Sequence, residues 1–423
     1  MQRQIKNFNE LAVTESRELA LAIAEEGLRA INTEEAILKS VRLEGETLFV
    51  MDEVYDLSKF KNIKVVGFGK ASGEAAKALS GILGSRVKEG AVVGLSSYRV
   101  SNIEIFVGTH PRPSPVNVAA GEKIHELIKN SKADDLIIAL VSGGGSALLC
   151  YGKNECEQGV KLYDAFLNSG KTITEINTVR KHLSLLKGGG LAKIAYPATI
   201  IGLIFSDVPG NNFLDVASGP TYKDETTIED AEKIIDENNL GEFDLVETPK
   251  EDKYFEKVRN FVLVSNKTAV LAMEAKGREL GLVTRIVSTE LYDEEEEVIK
   301  KIFSAKADDT VVLAAGEPRI EIRKTGGMGG RNMHLGLRVL SKNILGNDSV
   351  FISFASDGRD NTDMAGAIAD KETNKKAESA GLNAEDYLDR FDSYNFFQKT
   401  GDMLNTGPTG ANVSDLMILV TKK

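Results

Sequence analysis

Three glycine-rich turns constrain the fold of this chain more than any other feature. They lie in Lys64–Lys70, Leu136–Ser146 and Gly326–Asn332, beside apolar, β-rich runs. Two of these turns contain a cationic side chain, Lys70 in the first and Arg331 in the third. Glycine lets backbone N–H groups turn toward an anion without interference from a Cβ atom, and a following helix adds the positive end of its dipole. Three such turns in one acidic chain predict a site that holds phosphate groups.

Length and charge limit the class of protein. A chain of 423 residues exceeds the roughly 250–300 residues that one hydrophobic core supports, so at least two domains are expected. The formal charge of −11 argues against a nucleic-acid partner, because no basic stripe stands out to neutralise a phosphate backbone. Cations focused in a cleft would still let an acidic protein bind an anionic small molecule.

The sequence does not favour a membrane or secreted protein. No apolar run reaches the ~18 residues of a membrane span, and the N-terminus has no apolar signal core. Cys150 and Cys156 are the only cysteines, too few for a disulfide framework, so both are expected to be reduced. A cytoplasmic protein is predicted.

Strand and helix patterns alternate through the first half of the chain. Short, almost wholly apolar strands separated by helices imply parallel pairing with both faces covered, as in a doubly wound α/β domain. An amphipathic helix is predicted first, at 10–30. The other predicted elements of this half are strands at 64–67, 90–94, 103–107, 136–141 and 198–205 and helices at 73–83, 116–129 and 175–186.

A second α/β set follows an acidic stretch at 241–253, which Gly241 and Pro249 mark as a linker. We therefore place a larger, doubly wound domain with a mostly parallel sheet at 1–246, and a smaller C-terminal α/β domain at 247–423. The last strand could pack on either domain. The predicted elements of the second half are strands at 261–264, 283–287, 311–315, 350–354 and 416–420 and helices at 268–280 and 331–340.

The first glycine turn, Gly67-x-Gly69-x-x-x-Gly73, has two competing explanations. A dinucleotide-binding fold needs Gly-x-Gly-x-x-Gly between strand and helix, and the third glycine comes one residue late here. A lysine inside the turn suits a carboxylate or a phosphate better, because Lys70 would approach it as a compact charge with three donors.

The second turn, Ser142–Ser146, follows the most apolar strand of the first half. Ligands of open α/β sheets bind outside the carboxyl ends of strands, and three glycines between two hydroxyls can wrap an anion with main-chain donors. The P-loop pattern and the protein-kinase signatures are absent from the sequence, and Gly-x-Ser-x-Gly is not met at this turn. Any phosphoryl transfer would therefore use another scaffold.

Cations and aspartates supply further candidates. Arg180 and Lys187, if helical, face the same way and could bind a substrate carboxylate, whereas His182 is a weaker candidate for a general base. Asp207 closes a buried strand within Ser206–Gly210 and is placed for Mg²⁺ or a substrate hydroxyl, with Asp357 as its counterpart in the second half.

Arg331 opens a predicted helix directly after Gly329 and Gly330. Its guanidinium and the free N–H groups of the helix start would point at one anion, which suits a transferring phosphoryl group.

Together these stretches resemble the glycerate kinases of the MOFRL family. The chain departs from that family after Arg331-Asn332, where Met333-His334 replaces the usual Gln-Glu. The matching stretches follow the family's order at 66–71, 108–111, 142–146, 176–184, 206–210, 217–221, 329–332 and 406–413.

The resemblance implies two α/β domains with the active site in the cleft between them. It also implies phosphorylation of D-glycerate, with ATP as co-substrate and Mg²⁺ or another divalent cation, to give 2-phosphoglycerate and ADP. The family's catalytic cations match Lys70 and Arg331, and no nucleic acid or membrane is expected as a partner. A homodimer is a possible assembly.

The predicted site residues fall into four groups, which overlap. They are the catalytic residues Lys70, Asp207 and Arg331; the substrate-binding residues Lys70, Ser142, Arg180 and Arg331; the nucleotide- or phosphate-binding residues Ser142, Gly143, Gly144, Gly145, Ser146, Lys187, Asn266, Gly329 and Gly330; and the metal-binding residues Asp207 and Asp357.

Two other functions compete with this interpretation. An NAD(P)-dependent hydroxypyruvate reductase is supported by the near-match at Gly67–Gly73, but Lys70 lies inside that turn and no acid ends the following strand, Val92–Ser96. A non-catalytic regulator that binds sugar phosphates would use similar glycine loops, but the sequence shows no DNA-binding appendage.

Overall fold

The computed structural model describes residues 3–167, 173–208, 213–322 and 326–423. The chain forms two compact units. Thr33–Leu263 form one, here called the parallel-sheet unit; Met1–Asn32 combine with Val264–Lys423 in the other, here called the mixed-sheet unit. The predicted α/β class with two domains is confirmed.

Strands and helices alternate through both units. The strands are β1 Val41–Glu44, β2 Thr47–Val50, β3 Glu53–Asp56, β4 Asn62–Phe68, β5 Val87–Gly94, β6 Ile103–Val107, β7 Asp135–Ser142, β8 Thr199–Phe205, β9 Val258–Val264, β10 Val283–Leu291, β11 Thr310–Gly316, β12 Ser349–Ala355, β13 Gly366–Ala369, β14 Met403–Leu404 and β15 Asp415–Thr421. The helices are α1 Phe8–Leu11, α2 Glu15–Ala30, α3 Thr33–Ser40, α4 Ser72–Leu83, α5 Pro115–Ile128, α6 Gly145–Leu148, α7 Lys153–Leu167, α8 Ile173–His182, α9 Gly190–Ala195, α10 Ile228–Glu237, α11 Asn266–Glu279, α12 Glu295–Ser304, α13 Arg331–Ser341, α14 Lys371–Ser379, α15 Ala384–Asp389 and α16 Ser393–Thr400.

The parallel-sheet unit is built on a six-stranded sheet in the order β6-β5-β4-β7-β8-β9. The pairs β6/β5, β5/β4, β4/β7 and β7/β8 are all parallel. Every residue of β7 is buried, as expected of a strand covered on both faces. In the register, Phe68 faces Val141 and Ser142 faces Phe205, so the turns after β4, β7 and β8 emerge side by side.

The mixed-sheet unit has a different sheet, in the order β10-β11-β15-β12-β13-β14. Among the strands that the structure describes in this sheet, β10 and β11 alone pair in parallel, and the other pairs are antiparallel. The last strand, β15, lies between β11 and β12 and is buried along its whole length, so it belongs to this unit.

The predicted boundary at 246–247 differs from the observed division at residue 263. The predicted strand 261–264 is part of β9, which borders β8 in the first sheet, where Ile200 N donates to Lys257 O at 2.9 Å. The predicted linker packs on its own unit, since Val246 N donates to His182 O at 2.7 Å. Acidic residues, Gly241 and Pro249 indicated a loop correctly but not a domain boundary.

The start of the chain packs on the mixed-sheet unit, not on the unit that follows it in sequence. The guanidinium of Arg17 on α2 is fully buried and lies 2.6 Å from the Asp370 carboxylate and 2.7 Å from that of Asp402. Gly27 on the same helix leaves so little room that a Cβ atom there would lie 2.7 Å from Met273 Cγ. The predicted helix at 10–30 is thus present as α2 but lies outside the domain predicted for it.

Two smaller differences concern local elements. Strands β1–β3 form a three-stranded antiparallel sheet that was not predicted from the sequence. Each strand has only four residues, and charged residues among them interrupt the alternation of apolar and polar residues by which a strand is recognised. Helix α8 ends at His182, so Lys187 does not share its helix with Arg180. No helix among the described residues is long and apolar enough to cross a membrane.

Candidate active site

The turns after β4 and β7 interlock through main-chain and hydroxyl contacts. Gly69 has φ +125°, and a Cβ atom there would lie 2.2 Å from Ser142 Oγ, so glycine is required on both conformational and steric grounds. Lys70 N donates to Gly143 O at 2.9 Å, and Ala71 N donates to Ser142 Oγ at 3.1 Å. The Ser142 hydroxyl is buried and already has partners, so its observed role is to hold the Lys70 turn in place.

The glycine turn Gly143–Gly145 lies against several side chains of the candidate site. A Cβ atom at Gly143 would lie 2.2 Å from Asp207 Oδ2, which shows that the Asp207 carboxylate packs directly against this glycine. Gly144 has φ +77°, and a Cβ atom there would lie 3.1 Å from His110 Cδ2 and 3.2 Å from Lys70 Cγ. The absence of side chains in this turn therefore lets Asp207, His110 and Lys70 approach one short piece of main chain.

Lys70, His110 and Arg180 form what we call the cation cluster. Across the described ranges, neither Lys70 nor Arg180 has a carboxylate oxygen within 4.0 Å. Burial lowers the pKa of Arg180 to about 10, although Tyr163 opposes this change. Desolvation, followed by the charges of Lys70 and Arg180, lowers the pKa of His110 to about 4, so its imidazole is neutral at pH 7. Cations without acidic partners provide charge for an anionic ligand.

The neighbouring lysines contrast with this cluster. Lys187 is 5% exposed and pairs with the buried carboxylate of Glu155. Lys181 lies 3.1 Å from Asp215 and 3.3 Å from Asp224. The structure therefore gives Lys187 a buried partner within the protein, and its predicted phosphate contact stays a prediction. Buried cations generally need such partners because desolvation is costly.

Ser146 faces a small polar network in the same unit. Its hydroxyl lies 2.8 Å from the Ser218 hydroxyl, which in turn donates to Asn177 Oδ1 at 3.2 Å. Ser146 and Arg180 also line a cavity of about 30 Å³. Of the predicted residues, the structure thus groups Lys70, Arg180, Asp207 and the Ser142–Ser146 turn in one region of the parallel-sheet unit.

The start of α13 in the mixed-sheet unit differs from the prediction. Asp360 Oδ1 accepts from Asn332 N at 3.1 Å, and its Oδ2 accepts from Met333 N at 2.8 Å. A Cβ atom at Gly330 would lie 2.2 Å from Asp360 Oδ1. The prediction of free N–H groups at this helix start is wrong for Asn332 and Met333, because the buried Asp360 carboxylate already caps both.

Arg331 itself lies between the carboxyl groups of Asp415 and Glu317. Its Nε lies 3.3 Å from Asp415 Oδ2, and its Nη1 lies 3.2 Å from Glu317 Oε2. Burial raises the pKa of Asp415 to about 8 against the opposing effect of Arg331, and the other oxygen of Asp415 accepts from Asn332 Nδ2 at 2.8 Å. The Arg331 side chain remains 41% exposed, so it is oriented but still accessible.

Asn266 and Asp357, the other two predicted residues of this unit, have local partners. Asn266 Nδ2 donates to Thr289 O at 2.7 Å, while its Oδ1 is buried with no hydrogen-bond donor among the described residues. Asp357 Oδ1 accepts from Arg359 N at 2.9 Å, which is an Asx turn. Their predicted ligand contacts stay predictions.

Asp207 is the predicted metal ligand of this region. Among the described residues, no group of three or more His, Cys, Asp or Glu side chains could hold a metal ion. Mg²⁺ is commonly bound by one or two carboxylates together with substrate phosphates, and the single Asp207 carboxylate beside an anion-accepting turn fits that mode.

Sequence reasoning missed His110, Glu317, Asp360 and Asp415 as site residues. His110 lay within a quoted family stretch but carried no chemical signal of its own. Asp415 had one signal, since it is an acid at the start of the otherwise apolar run 416–420. An acid that opens a buried strand has to be paired or neutral, and this marks it as a candidate.

Comparison with known proteins agrees with this arrangement of elements. A domain of unknown function, DUF4147, matches residues 19–247, and the MOFRL family matches residues 310–415. The chain is 33% identical to the glycerate 2-kinase of Pyrococcus horikoshii, over 96% of this chain and 98% of that protein. It is 36% identical, over 84% of this chain and 86% of the relative, to an Agrobacterium vitis protein whose name gives hydroxypyruvate reductase as a provisional activity. The crystal structure of glycerate kinase from Thermotoga maritima superposes with a TM-score of 0.84 at 30% identity, covering 96% of this chain and 99% of that one.

Proposed function

We propose, from the premise that this chain belongs to the glycerate 2-kinase family with a MOFRL module, that it transfers the γ-phosphoryl group of ATP to D-glycerate. A glycerate hydroxyl oxygen attacks the γ-phosphorus, the bond from that phosphorus to the ADP oxygen breaks, and the hydroxyl proton passes to the Asp207 carboxylate or to water. The expected products are 2-phosphoglycerate and ADP.

The cation cluster is the observation that carries this proposal. Glycerate is a small carboxylate, and Lys70 and Arg180 have no carboxylate partner among the described residues. Arg180 can bind a carboxylate in bidentate fashion, and the neutral His110 can exchange a hydrogen bond with a hydroxyl. The cluster therefore offers a charged contact for one end of glycerate and a polar contact for the other.

Phosphoryl transfer needs positive charge where negative charge develops. Lys70 is proposed to supply it from the Gly69–Ala71 turn, and Arg331 from the start of α13. Asp207 is proposed to accept the hydroxyl proton or to hold Mg²⁺ together with the phosphates of ATP. When bound, the ion would neutralise charge on the phosphate oxygens.

The geometry of the first glycine turn disfavours the reductase alternative. A dinucleotide fold uses its glycines to let the pyrophosphate approach the main chain. Here that space is filled by protein, because a Cβ atom would lie 2.2 Å from Ser142 at Gly69 and 2.6 Å from Tyr98 at Gly73.

The decisive experiment measures two activities of the same purified protein. With D-glycerate, ATP and Mg²⁺, we expect ADP to form with glycerate-dependent kinetics, and ³¹P NMR of the product identifies the 2- or 3-phosphate. With hydroxypyruvate and NADH or NADPH, we expect no oxidation of the cofactor. Hydride transfer without phosphorylation would replace the kinase by the reductase.

A further inference from the structure

A second cavity lies wholly within the mixed-sheet unit and takes no part in the glycerate contacts proposed above. Its volume is about 530 Å³. Small-molecule sites commonly span roughly 300–1,000 Å³. Arg319, Ile320, Ile322, Arg331, Phe391 and the glycine loop Gly326–Gly330 contribute to its walls.

The arginines that line this cavity are opposite in sign to the net charge of the chain. Among the described residues that line it, Arg319 and Arg331 are cationic and none is an aspartate or a glutamate. The chain as a whole has a formal charge of −11. A cavity that gathers guanidinium groups in an acidic protein is suited to an anionic ligand.

The same walls carry an exposed aliphatic side chain and an aromatic ring. Ile322 is 69% exposed, which is high for a large aliphatic side chain beside a cavity. The ring of Phe391 is stacked on that of His334, with centroids 5.3 Å apart and planes at 13°. Phe391 also has φ +52°, a conformation that a bulky residue rarely adopts and that often marks a functional site. Such walls suit a ligand that has a flat or apolar part besides its charge.

The glycine loop is fixed and presents main chain to the cavity. Met328 N donates to Asp392 Oδ1 at 3.1 Å, and Tyr394 N donates to Met328 O at 2.9 Å. A Cβ atom at Gly327 would lie 2.1 Å from the carbonyl oxygen of Phe391, so this position excludes any side chain. A loop held in this way lets a bulky anion come close to the backbone.

We propose that this cavity binds the adenine nucleotide, with the base against Ile320, Ile322 and Phe391 and the phosphate chain directed to Arg319 and Arg331. A nucleoside polyphosphate joins a flat aromatic base to several negative charges, which matches both properties of the walls. The assignment rests on the proposed kinase function and deepens it. It places the nucleotide in the mixed-sheet unit and leaves the cation cluster to the carboxylate substrate.

Direct binding of a fluorescent ADP, N-methylanthraniloyl-ADP, to the full-length protein tests this assignment. Ile322→Glu places a negative charge on an exposed position of the wall, where it leaves the core intact. We expect its Kd for the probe to rise roughly tenfold or more, as like charges at a binding site disfavour association. Leu271→Glu is the matched control, because Leu271 is 46% exposed on α11 and does not line the cavity.

Arg319→Ala separates the phosphate contact from the base contact. In the wild type we expect ADP to bind with a lower Kd than adenosine. In Arg319→Ala the Kd for ADP should rise toward that for adenosine, while the Kd for adenosine stays unchanged. Thermal unfolding of each variant verifies that the fold persists.

The outcomes distinguish failure of the nucleotide site from failure of the kinase function. An unchanged probe Kd and an unchanged KM for ATP in Ile322→Glu, in an enzyme that still phosphorylates glycerate, would overturn the nucleotide site and leave the kinase function intact. A wild-type protein that binds neither ATP nor the probe would overturn both.

Discussion

The two cation-bearing glycine turns look alike in sequence but differ in their electrostatic surroundings. Lys70, beside the turn of the parallel-sheet unit, has no ion pair among the described residues. Arg331, after the turn of the mixed-sheet unit, lies between Asp415 and Glu317, and its helix start is capped by Asp360. The first turn offers a lysine with no carboxylate oxygen within 4.0 Å among the described residues, whereas the second offers a guanidinium that Asp415 orients and Glu317 partly balances. The residues within the two turns do not reveal this difference, because Glu317, Asp360 and Asp415 lie outside the turns in the sequence.

Removal of Lys70 should give the largest effect, because no acid in the described part of the chain pairs with it within 4.0 Å. Lys70→Ala is expected to lower kcat/KM by roughly 10²–10³-fold, the range for loss of one group that stabilises transition-state charge. Steady-state kinetics with glycerate and ATP measure this loss. Lys77→Ala, on the exposed face of α4, is the control and should behave as the wild type. Near-normal kinetics of Lys70→Ala would remove the distinction between the two turns.

A smaller effect is expected from the removal of Asp415, which influences the reaction by positioning Arg331. Asp415→Ala removes the contact to Arg331 Nε and the acceptor for Asn332, and should lower kcat/KM about tenfold to a hundredfold through misplacement of the guanidinium. The loss should fall mainly on kcat if Arg331 acts in the transition state.

The pH dependence of Asp415 distinguishes positioning from simple structural support. Its pKa is about 8, so Asp415→Asn imitates the protonated form and should differ little from the wild type at pH 7. Above pH 8 the wild-type carboxylate ionises and balances Arg331, so wild-type kcat/KM should fall while the Asn variant holds its rate. The raised pKa also means that stability falls as pH rises from about 4 to about 8, and the variant should flatten this slope. Identical pH profiles of the two proteins would exclude the proposed link to Arg331.

The smallest effect concerns the protonation of His110. Its pKa of about 4 is lowered by desolvation and then by Lys70 and Arg180, so the ring should titrate near pH 4 in an NMR experiment on the ligand-free protein. In Lys70→Ala the pKa should rise, because one of the two cations is gone. The depressed pKa gives stability that is present above the unfolded value of about 6.5 and is lost as pH falls through about 4. A His110 signal that does not move between the two proteins would show that Lys70 does not act on this ring.

The sequence predicted the parallel sheet well because its strands are short apolar runs that end in recognisable turns. Ser142–Ser146, Lys70 and Asp207 come together because the carboxyl ends of adjacent parallel strands share one edge, which is a rule of the fold. The acids around Arg331 were not predictable in this way, because Asp360 and Asp415 come from loops and strands whose order in a mixed sheet follows no such rule. His110 is a candidate only because the fold brings its ring against Gly144, the residue that Lys70 also approaches.

Domain limits were less predictable than strands for a related reason. The pattern of β9 is that of any half-buried strand, and nothing in residues 258–264 indicates which of two sheets it joins. The apolar face of α2 indicated a buried helix but not the surface that buries it. Partner choice depends on contacts such as Arg17 with Asp370, which lie 353 positions apart in the sequence.

The contacts of Arg17 have a consequence for the order in which the protein is made. Asp370 and Asp402 are synthesised long after α2, so the parallel-sheet unit is an insertion between two parts of a unit that cannot close until its second part emerges. Arg17 must stay hydrated in the meantime, because burial of an unpaired guanidinium is costly. A released chain truncated near residue 263 is therefore expected to hold a protease-resistant parallel-sheet unit behind an exposed, cleavable α2. The mixed-sheet unit would therefore be completed last, when α2 packs on the part of that unit that is synthesised after residue 263.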